Sequence, residues 1–345
     1  MHTIWRSGAT AAGILAACGL IGAAWSQTGT PAVAPPSSNP LRFAYVTNQG
    51  SQTVSVVDLD AWTVVAEIDV PGRPAGVALS PDHATIYVSA PEGKDVAVID
   101  AAKRKVVRRI PAGDGPLGIA VAPDGQLFVA DWYATYVSII DPTDGKRVAT
   151  LTAGQSPSGI AISDDGRTVI SADRDSNQVS ITRFPIAAVP GQTAAGRSAS
   201  HTTNVVPVGT RPFGVTLNAD ATRAYTANVG SNDVTVVDVE AGKPLASISV
   251  GRRPYAIALS LTHGFVTDQY GGTITVFDLA TNSVTKTVEA CDHPEGIGFD
   301  PGRRMVYVAC WGDNVLLRLS ADTFELGGKL AVGDGPRAFG VFLGR

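Results

Sequence analysis

Charge is scarce in this 345-residue chain, because Asp, Glu, Lys and Arg together make up only 17% of it, against about 25% in an average soluble protein. The formal net charge is −4, so we expect no broad basic surface for duplex nucleic acid. Signatures of catalysis are also absent, since the sequence has no GxSxG, Walker loop, HExxH or CxxCH, and no GxGxxG within a βαβ unit. These absences predict no cofactor and no metal site. They favour a non-catalytic role and leave enzymatic activity open.

Cysteine is rare too, with three residues in the chain, of which Cys18 lies in an apolar N-terminal stretch. Residues 1–26 contain Arg6, an Ala- and Gly-rich run and a final Ala-Trp-Ser, a pattern typical of a signal peptide cleaved before Gln27. The alternative is a lipoprotein, since the Leu-Ala-Ala-Cys that ends at Cys18 resembles a lipidation motif. Both alternatives predict a periplasmic or secreted protein, and no later stretch reaches the ~20 apolar residues of a membrane-spanning helix.

Glycine and proline are plentiful, at 37 and 22 residues, and the prolines reveal a repeat. The tetrapeptide Pro-x-(Gly or Ala)-apolar begins at Pro74, Pro116, Pro157, Pro212, Pro254, Pro294 and Pro336. The intervals are 40 to 42 residues except for one of 55, which predicts an insertion at about 185–203. Before the repeats, residues 27–40 are rich in Pro and Ser, so we predict a linker there and a single domain over residues 41–345.

Each repeat contains four short runs rich in Val, Ile and Thr, separated by turn residues. Four strands in about 42 residues is the size of a propeller blade, and the gaps are too short for the crossover helices of a parallel sheet. We therefore predict an all-β, seven-bladed β-propeller, with four antiparallel strands per blade, and expect a monomer. The last repeat has only a first strand, Pro336–Leu343, whereas Leu41–Val70 supplies the other three. Pairing of the two ends should close the ring and remove its open edges.

A second motif supports the same fold. The tetrapeptide Tyr-Val-Thr-Asn begins at Tyr45, and degenerate copies begin at Tyr87, Tyr225 and Tyr307. The chain resembles the YVTN-repeat, YncE-like bacterial β-propellers over residues 41–345. The resemblance implies the propeller fold and export, but no particular activity. It also implies that the first strands line the central channel, and that the residues before them and after the second strands share one face.

On that shared face the resemblance places two rings of residues. The residues before the prolines are Arg73, Gly115, Ser156, Arg211, Arg253, His293 and Gly335. The residues that end the second strands are Asn48, Ala90, Asp131, Asp173, Asn228, Asp268 and Cys310, followed respectively by Gln49, Pro91, Trp132, Arg174, Val229, Gln269 and Trp311. Converging guanidinium groups favour a carboxylate or phosphate ligand, and a Trp side chain can stack on a flat ring.

The candidate ligand-binding residues are Arg73, Asp131, Trp132, Asp173, Arg174, Arg211, Asn228, Arg253, Asp268, Asp292, His293, Trp311 and Arg337. A structural role competes with binding, because Asp and Asn at a strand end commonly cap the next turn and Arg can pair with Asp on a neighbouring strand. Turn capping alone is predicted for a separate set on the opposite face, Asp58, Asp100, Asp141, Asp238 and Asp278.

The sixth repeat differs from the others by containing Cys291, His293 and Cys310. Antiparallel pairing places the start of its first strand beside the end of its second, so we predict a disulfide between Cys291 and Cys310 in an exported protein. Metal binding by these three residues is the alternative, and no CxxC or HxxxH spacing supports it.

The favoured function is an exported binding module whose polar axial face holds a small anionic ligand or a periplasmic partner protein. The first alternative is a lactonase- or lyase-like hydrolase, in which His293 is the candidate acid or base together with Asp292 or Glu295. The second alternative is binding of single-stranded nucleic acid by Trp132, Trp311 and the Arg ring.

Overall fold

The computed structural model describes residues 40–185 and 201–345. The predicted signal peptide, Cys18, nearly all of the predicted linker and residues 186–200 of the predicted insertion lie outside the described residues. Within the two described ranges, no helix has the length and apolar character needed to cross a membrane.

The described residues form seven four-stranded antiparallel sheets, as the repeat predicts, and one sheet carries an extra strand. The first strands of six blades are Gly76–Leu79, Pro116–Val121, Pro157–Ile162, Pro212–Leu217, Pro254–Leu259 and Pro294–Asp300. The second strands are Phe43–Asn48, Thr85–Ala90, Leu127–Asp131, Thr168–Asp173, Arg223–Asn228, His263–Asp268 and Met305–Cys310. A three-residue 3-10 helix, Arg174–Ser176, follows one of them.

The outer half of each blade completes the sheet. The third strands are Thr53–Asp58, Asp95–Asp100, Tyr136–Ile140, Gln178–Arg183, Asp233–Asp238, Thr273–Asp278 and Val315–Ser320. The fourth strands are Thr63–Asp69, Lys105–Pro111, Arg147–Thr152, Thr202–Pro207, Lys243–Ser249, Val284–Glu289 and Leu326–Ala331. The second and third strands are buried on both faces because neighbouring blades pack against them, whereas the fourth strands are largely exposed. We number the blades from one to six by their first strands, and the blade that joins the chain ends is blade seven.

The Pro-x-Gly motif has a steric explanation at the axis, where the first strands of consecutive blades contact one another. A Cβ atom added to Gly159 would lie 2.6 Å from the carbonyl oxygen of Phe213, and one added to Gly214 would lie 2.5 Å from that of Tyr255. Real Cβ atoms do not approach backbone oxygens so closely, so glycine lets the innermost strands meet at these positions.

The two chain ends close the ring as predicted, but through a broken strand. Pro336 bridges to Asn48, and Leu343–Gly344 pairs antiparallel with Phe43 and Ala44. Between these contacts, Phe339–Gly340 crosses to blade one and pairs parallel with its first strand. Ala338 and Gly340 have φ angles of 47° and 115°, and these left-handed conformations turn the chain out of a single continuous strand.

Two further predictions are confirmed. The aspartates that end the third strands accept turn N–H groups, for example from Asp60 and Ala61 to Asp58 and from Lys103 to Asp100. The same holds for Asp141, Asp238 and Asp278. Cys291 and Cys310 form a disulfide in blade six, with Cα atoms 6.0 Å apart. A crosslink over this sequence separation is worth ~3 kcal/mol on the chain-entropy account.

The ring closure predicts a contrast between two adjacent residues of the C-terminal segment. Phe342 is 1% exposed within the core that joins blades six, seven and one, whereas Val341 is 63% exposed. Phe342→Ala should lower the free energy of unfolding by about 3–5 kcal/mol, and Val341→Ala by less than about 0.5 kcal/mol. Chemical denaturation followed by tryptophan fluorescence measures both.

Deleting Gly335–Arg345 is the stronger test of closure, because it leaves the second strand of blade seven with an unpaired edge. We expect the truncated protein to be insoluble or to be digested rapidly by a protease that spares the full chain. A truncated protein that melts at the temperature of the full chain would contradict the role of the closure.

Candidate functional site

One backbone hydrogen bond recurs on a single face of six blades and positions the two predicted rings side by side. The carbonyl before the repeat proline accepts the N–H of the residue after the second strand, at 2.8 to 3.2 Å. The pairs are Gln49 with Gly335, Trp132 with Gly115, Arg174 with Ser156, Val229 with Arg211, Gln269 with Arg253 and Trp311 with His293. In five of these six blades the residue before proline has a left-handed φ, which turns its carbonyl toward the second strand.

A cavity of about 300 Å³ lies at the centre of this face. Its wall contains six of the seven residues that follow the second strands, namely Gln49, Pro91, Trp132, Arg174, Val229 and Gln269. Four of the seven residues that follow the repeat prolines also line it, namely Leu117, Phe213, Tyr255 and Arg337, together with Gly115, Tyr133 and Arg253. The cavity therefore combines aromatic rings with three guanidinium groups.

Three aromatic rings separate this cavity from a second one at the other end of the axis. Phe213 lies 4.4 Å from Tyr255 and 5.0 Å from Phe339, and Tyr255 lies 5.5 Å from Phe339, measured between ring centroids. Phe339 also lines the second cavity, which is formed mainly by aliphatic side chains of the first strands. The aromatic group thus closes the base of the polar cavity.

The three guanidinium groups of the cavity differ in their partners. Arg174 pairs with Asp175 at 2.6 Å and lies over the Trp132 ring. Arg337 donates from Nε to Glu295 at 2.7 Å, and Glu295 is 2% exposed. Arg253 lies 4.5 Å from the Tyr270 ring centroid and forms no ion pair with the described residues.

Glu295 organises the polar part of the cavity. Its second oxygen accepts a hydrogen bond from the side-chain amide of Gln269 at 2.5 Å. Tyr255 lies next to the Glu295–Arg337 pair, and burial raises the pKa of its hydroxyl well above the ordinary range, so the hydroxyl keeps its proton. Glu295 is therefore neutralised by Arg337 and fixes the side chains on either side of it.

The structure brings four of the predicted site residues into the cavity, namely Trp132, Arg174, Arg253 and Arg337. Two other arginines at the ring position before proline do not line it. Arg73 is exposed and lies 3.5 Å from Glu92, and Arg211 is exposed and is not part of the lining. The position before the repeat proline therefore does not by itself determine whether a side chain lines the axial cavity.

The predicted Asp and Asn residues that end second strands lie inside the blades and do not line the cavity. Asp131 accepts backbone N–H groups of Asp114, Gly115 and Tyr133. Asp173 accepts hydrogen bonds from Ser171, Gln178, Ser180 and the Gly154 N–H, and Asn228 donates to Asp233 and Thr235. These contacts agree with the structural role that competes with ligand binding, in which Asp and Asn at a strand end hold the next turn.

Asp268 is the fourth of these buried residues, and its environment is distinctive. It accepts the hydroxyls of Thr273 and Thr275 at 2.9 and 2.7 Å. Burial raises the pKa of its carboxyl to about 6, against the opposing effect of those hydrogen bonds. Asp268 immediately precedes Gln269 in the chain, but Gln269 lines the cavity and Asp268 does not.

His293, Asp292 and Trp311 form a separate group outside the cavity lining. His293 Nδ1 lies 2.6 Å from Asp292 Oδ1, and both side chains are open to solvent. The His293 ring makes edge contacts with Tyr270 and Trp311. Because Tyr270 also contacts Arg253, the group adjoins the cavity residues without facing the same space.

The residues missed by sequence reasoning are mostly those that follow the repeat prolines, such as Leu117, Phe213 and Tyr255. The sequence contained a sign of their role. The residue after the proline differs from repeat to repeat, whereas its neighbours are always Pro on one side and Gly or Ala on the other. A side chain between Pro and Gly on an innermost strand can face the axis. No group of three or more His, Cys, Asp or Glu suited to a metal ion occurs within the described ranges.

Asp268 allows a test of the buried acid through pH. Burial raises the pKa of Asp268 to about 6 in the folded state, above the ordinary carboxyl value of 3.8, so the folded protein holds this proton more tightly. The contribution of Asp268 to stability therefore falls as pH rises from about 4 to 6. A difference of this size corresponds to roughly 3 kcal/mol. Asp268→Asn should remove most of this fall.

The variant should fold, because blades four and seven already have Asn at the equivalent position, where Asn228 donates to Thr235. Denaturant unfolding at pH 4, 5, 6 and 7 measures the effect. Burial also raises the pKa of Asp173, so a smaller fall should persist. Equal slopes for the variant and the wild type would contradict the assignment.

Comparisons of this chain with family models and with solved structures agree with the propeller fold. The family model described as YNCE-like beta-propeller matches residues 23–125, and no curated protein matches the chain. Among solved structures, the chain is similar to Kuenenia stuttgartiensis hydrazine synthase, with a TM-score of 0.68 and 19% identity over 86% of this chain and 99% of that one. A functionally unknown protein from Desulfotomaculum acetoxidans gives a TM-score of 0.72 and 16% identity, over 88% of this chain and 99% of that one.

At these identities the two solved structures support the fold alone. The family match covers the closing blade, blade one and the start of blade two, where the Tyr-Val-Thr-Asn motif lies. Together with the seven four-stranded blades, it identifies the chain as a β-propeller of the YncE-like type.

Proposed function

We propose that the axial cavity binds a small organic anion with a flat apolar body, and that the chain acts as a binding module. The observation that carries the proposal is the state of Arg253. Its Nε is buried without a hydrogen-bond partner among the described residues, and the side chain lines the cavity. A buried guanidinium N–H without an acceptor is costly, and an anionic ligand would satisfy it.

The charge balance of the cavity supports an anion. Asp175 offsets Arg174 and Glu295 offsets Arg337, which leaves the positive charge of Arg253 without a carboxylate among the described residues. Arg presents a planar fork of donors that matches a carboxylate. The cavity therefore favours one negative charge.

The apolar part of the lining supports a flat body on that anion. Phe213 and Trp132 have ring centroids 6.1 Å apart, and Tyr133 and Tyr255 add further rings to the lining. A volume of about 300 Å³ lies at the lower end of the range for small-molecule sites. A single-ring carboxylate fits this size better than a nucleotide.

The partner-protein version of the hypothesis rests on the exposed aromatic residues of the same face. Tyr133, Tyr270 and Trp311 are 77%, 49% and 40% exposed. Such residues are enriched at protein interfaces. The unpaired buried donor of Arg253 favours the small ligand, because a flat protein surface does not reach into a cavity.

The two alternatives receive less support. A hydrolase based on His293 needs this residue in a pocket, and His293 does not line the cavity. Its contact with Asp292 keeps the hydrolase open as a hypothesis about the exposed group. Single-stranded nucleic acid needs a line of stacking rings, whereas Trp132 lies in the cavity and Trp311 lies outside it.

We also propose that the protein works outside the cytoplasm, in the periplasm or as a secreted protein. The N-terminal sequence supports export, and the Cys291–Cys310 disulfide suits an oxidising compartment.

Arg253 and Arg211 provide a matched pair for testing the ligand proposal, because they occupy the same repeat position and only Arg253 lines the cavity. Isothermal titration with benzoate, phenylacetate, 3-phenylpropionate and 3-phenyllactate should detect binding to the wild type. Arg253→Met should weaken it about 10- to 100-fold, the value of a charge-assisted hydrogen bond. Arg211→Met should bind as the wild type does.

The melting temperatures of both variants show whether the fold is intact. Equal affinities of the wild type and Arg253→Met, or no binding of any of the four carboxylates, would overturn the proposal.

The export proposal is tested by expressing the full chain in a Gram-negative host and determining the N-terminus of the product by mass spectrometry. Cleavage at the predicted site gives a mature chain that starts at Gln27. A chain that starts at Cys18 with added acyl mass identifies the lipoprotein alternative. An intact N-terminus on cytoplasmic protein would contradict export in either form.

A further inference from the structure

We infer that the ligand of the axial cavity carries a hydroxyl group beside its carboxylate, so that the ligand class is an aryl-substituted 2-hydroxy acid. The inference rests on the proposed function, and it adds the specificity-determining role of Gln269. This residue is 7% exposed and lines the cavity.

The orientation of the Gln269 amide is fixed by its neighbour. Glu295 Oε1 accepts from Gln269 Nε2 at 2.5 Å, and an ionised carboxylate can only accept hydrogen bonds. The reversed amide would place two acceptor oxygens against each other. The NH₂ group must therefore face Glu295, and the amide carbonyl must face away from it.

That carbonyl oxygen lacks a partner within residues 40–185 and 201–345. Gln269 Oε1 is buried and accepts no hydrogen bond from the described residues. A buried acceptor without a donor destabilises the empty site, because the loss of its hydrogen bonds to water is not offset. Because Gln269 lines the cavity, a bound molecule whose O–H or N–H group reaches this buried oxygen would satisfy it.

The acceptor lies close to the cationic groups that would hold the carboxylate. The Gln269 N–H donates to the Arg253 carbonyl at 3.0 Å, so the two residues are neighbours across blade five. Glu295 connects the Gln269 side chain to Arg337, whose Nε also binds this carboxylate. A ligand that reaches both a guanidinium and Gln269 Oε1 therefore needs its donor near its carboxylate.

The local charge decides between a hydroxyl and an ammonium donor. Arg174, Arg253 and Arg337 all line the cavity, and Asp175 and Glu295 offset two of them. The ligand carboxylate would offset the third, so an ammonium group on the same ligand would add an uncompensated positive charge to a partly buried site, which is unfavourable. A neutral hydroxyl donates to Gln269 Oε1 without this penalty.

The test uses ligand pairs that differ by the hydroxyl group alone. Isothermal titration compares 3-phenyllactate with 3-phenylpropionate and mandelate with phenylacetate, and phenylalanine serves as the ammonium analogue of phenyllactate. We expect the hydroxy acid of at least one pair to bind about 10-fold tighter than its partner, and phenylalanine to bind more weakly than phenyllactate.

Variants at the two equivalent glutamines locate the effect. Gln269→Met should reduce the preference for the hydroxy acid to about 1. This ratio of two affinities, measured on the same variant, cancels any loss common to both ligands that follows from removing the Gln269 donor to Glu295. Gln49→Met is the control, because Gln49 lines the cavity at the same repeat position but its amide is not among the buried unpaired groups. This control should keep the preference of the wild type.

The ligand pairs measured on the wild type need no variant, so the inference remains testable even if Gln269→Met fails to fold. Carboxylates that bind in an Arg253-dependent manner without any preference for the hydroxyl would overturn the role of Gln269 and leave the proposed function standing. A preference that survives in Gln269→Met would also overturn it. Failure of every carboxylate to bind would overturn the proposed function itself.

Discussion

The close approach of the seven innermost strands around the axis is the constraint on which the rest of this structure depends. Glycine at the third position of the repeat allows that approach, since a Cβ at Gly159 or Gly214 would meet the backbone of the next blade. The same geometry leaves room at the axis for the residue after the repeat proline, which is how Phe213 and Tyr255 come to close the base of the cavity. The steric requirement of the fold and the composition of the site therefore share one cause.

The repeat places one residue of each blade at an equivalent position on the axial face. The residues that differ between repeats determine which charged and polar groups line the cavity. Every blade presents a residue before its proline, yet Arg253 contributes to the cavity whereas the equivalent Arg211 does not. The buried Asp and Asn at the strand ends bind backbone and hydroxyl groups inside the blades. In a chain with little charge, the network of Glu295, Arg337 and Gln269 is the feature that distinguishes one side of the axis from the other.

The polar cavity and the ring closure are linked through the C-terminal segment. Arg337 pairs with Glu295 of blade six, and Phe339 stacks on the aromatic base while pairing with blade one. The segment that closes the propeller thus also completes the site. A chain whose ends are not joined would lack both the Arg337 guanidinium, which is the partner of Glu295, and the Phe339 ring.

The sequence by itself determined the number of blades, the turn aspartates, the closure by the two ends and the Cys291–Cys310 disulfide, because each depends on local periodicity or on the register of adjacent strands. It also indicated the face that carries the cavity. Only the tertiary structure decided which ring members reach the axis, why the last strand is broken, and that Glu295 binds an arginine 42 residues away. These features depend on contacts between blades, where residues with the same position in the repeat meet different neighbours. Sequence spacing is equal for such residues, so it cannot distinguish them.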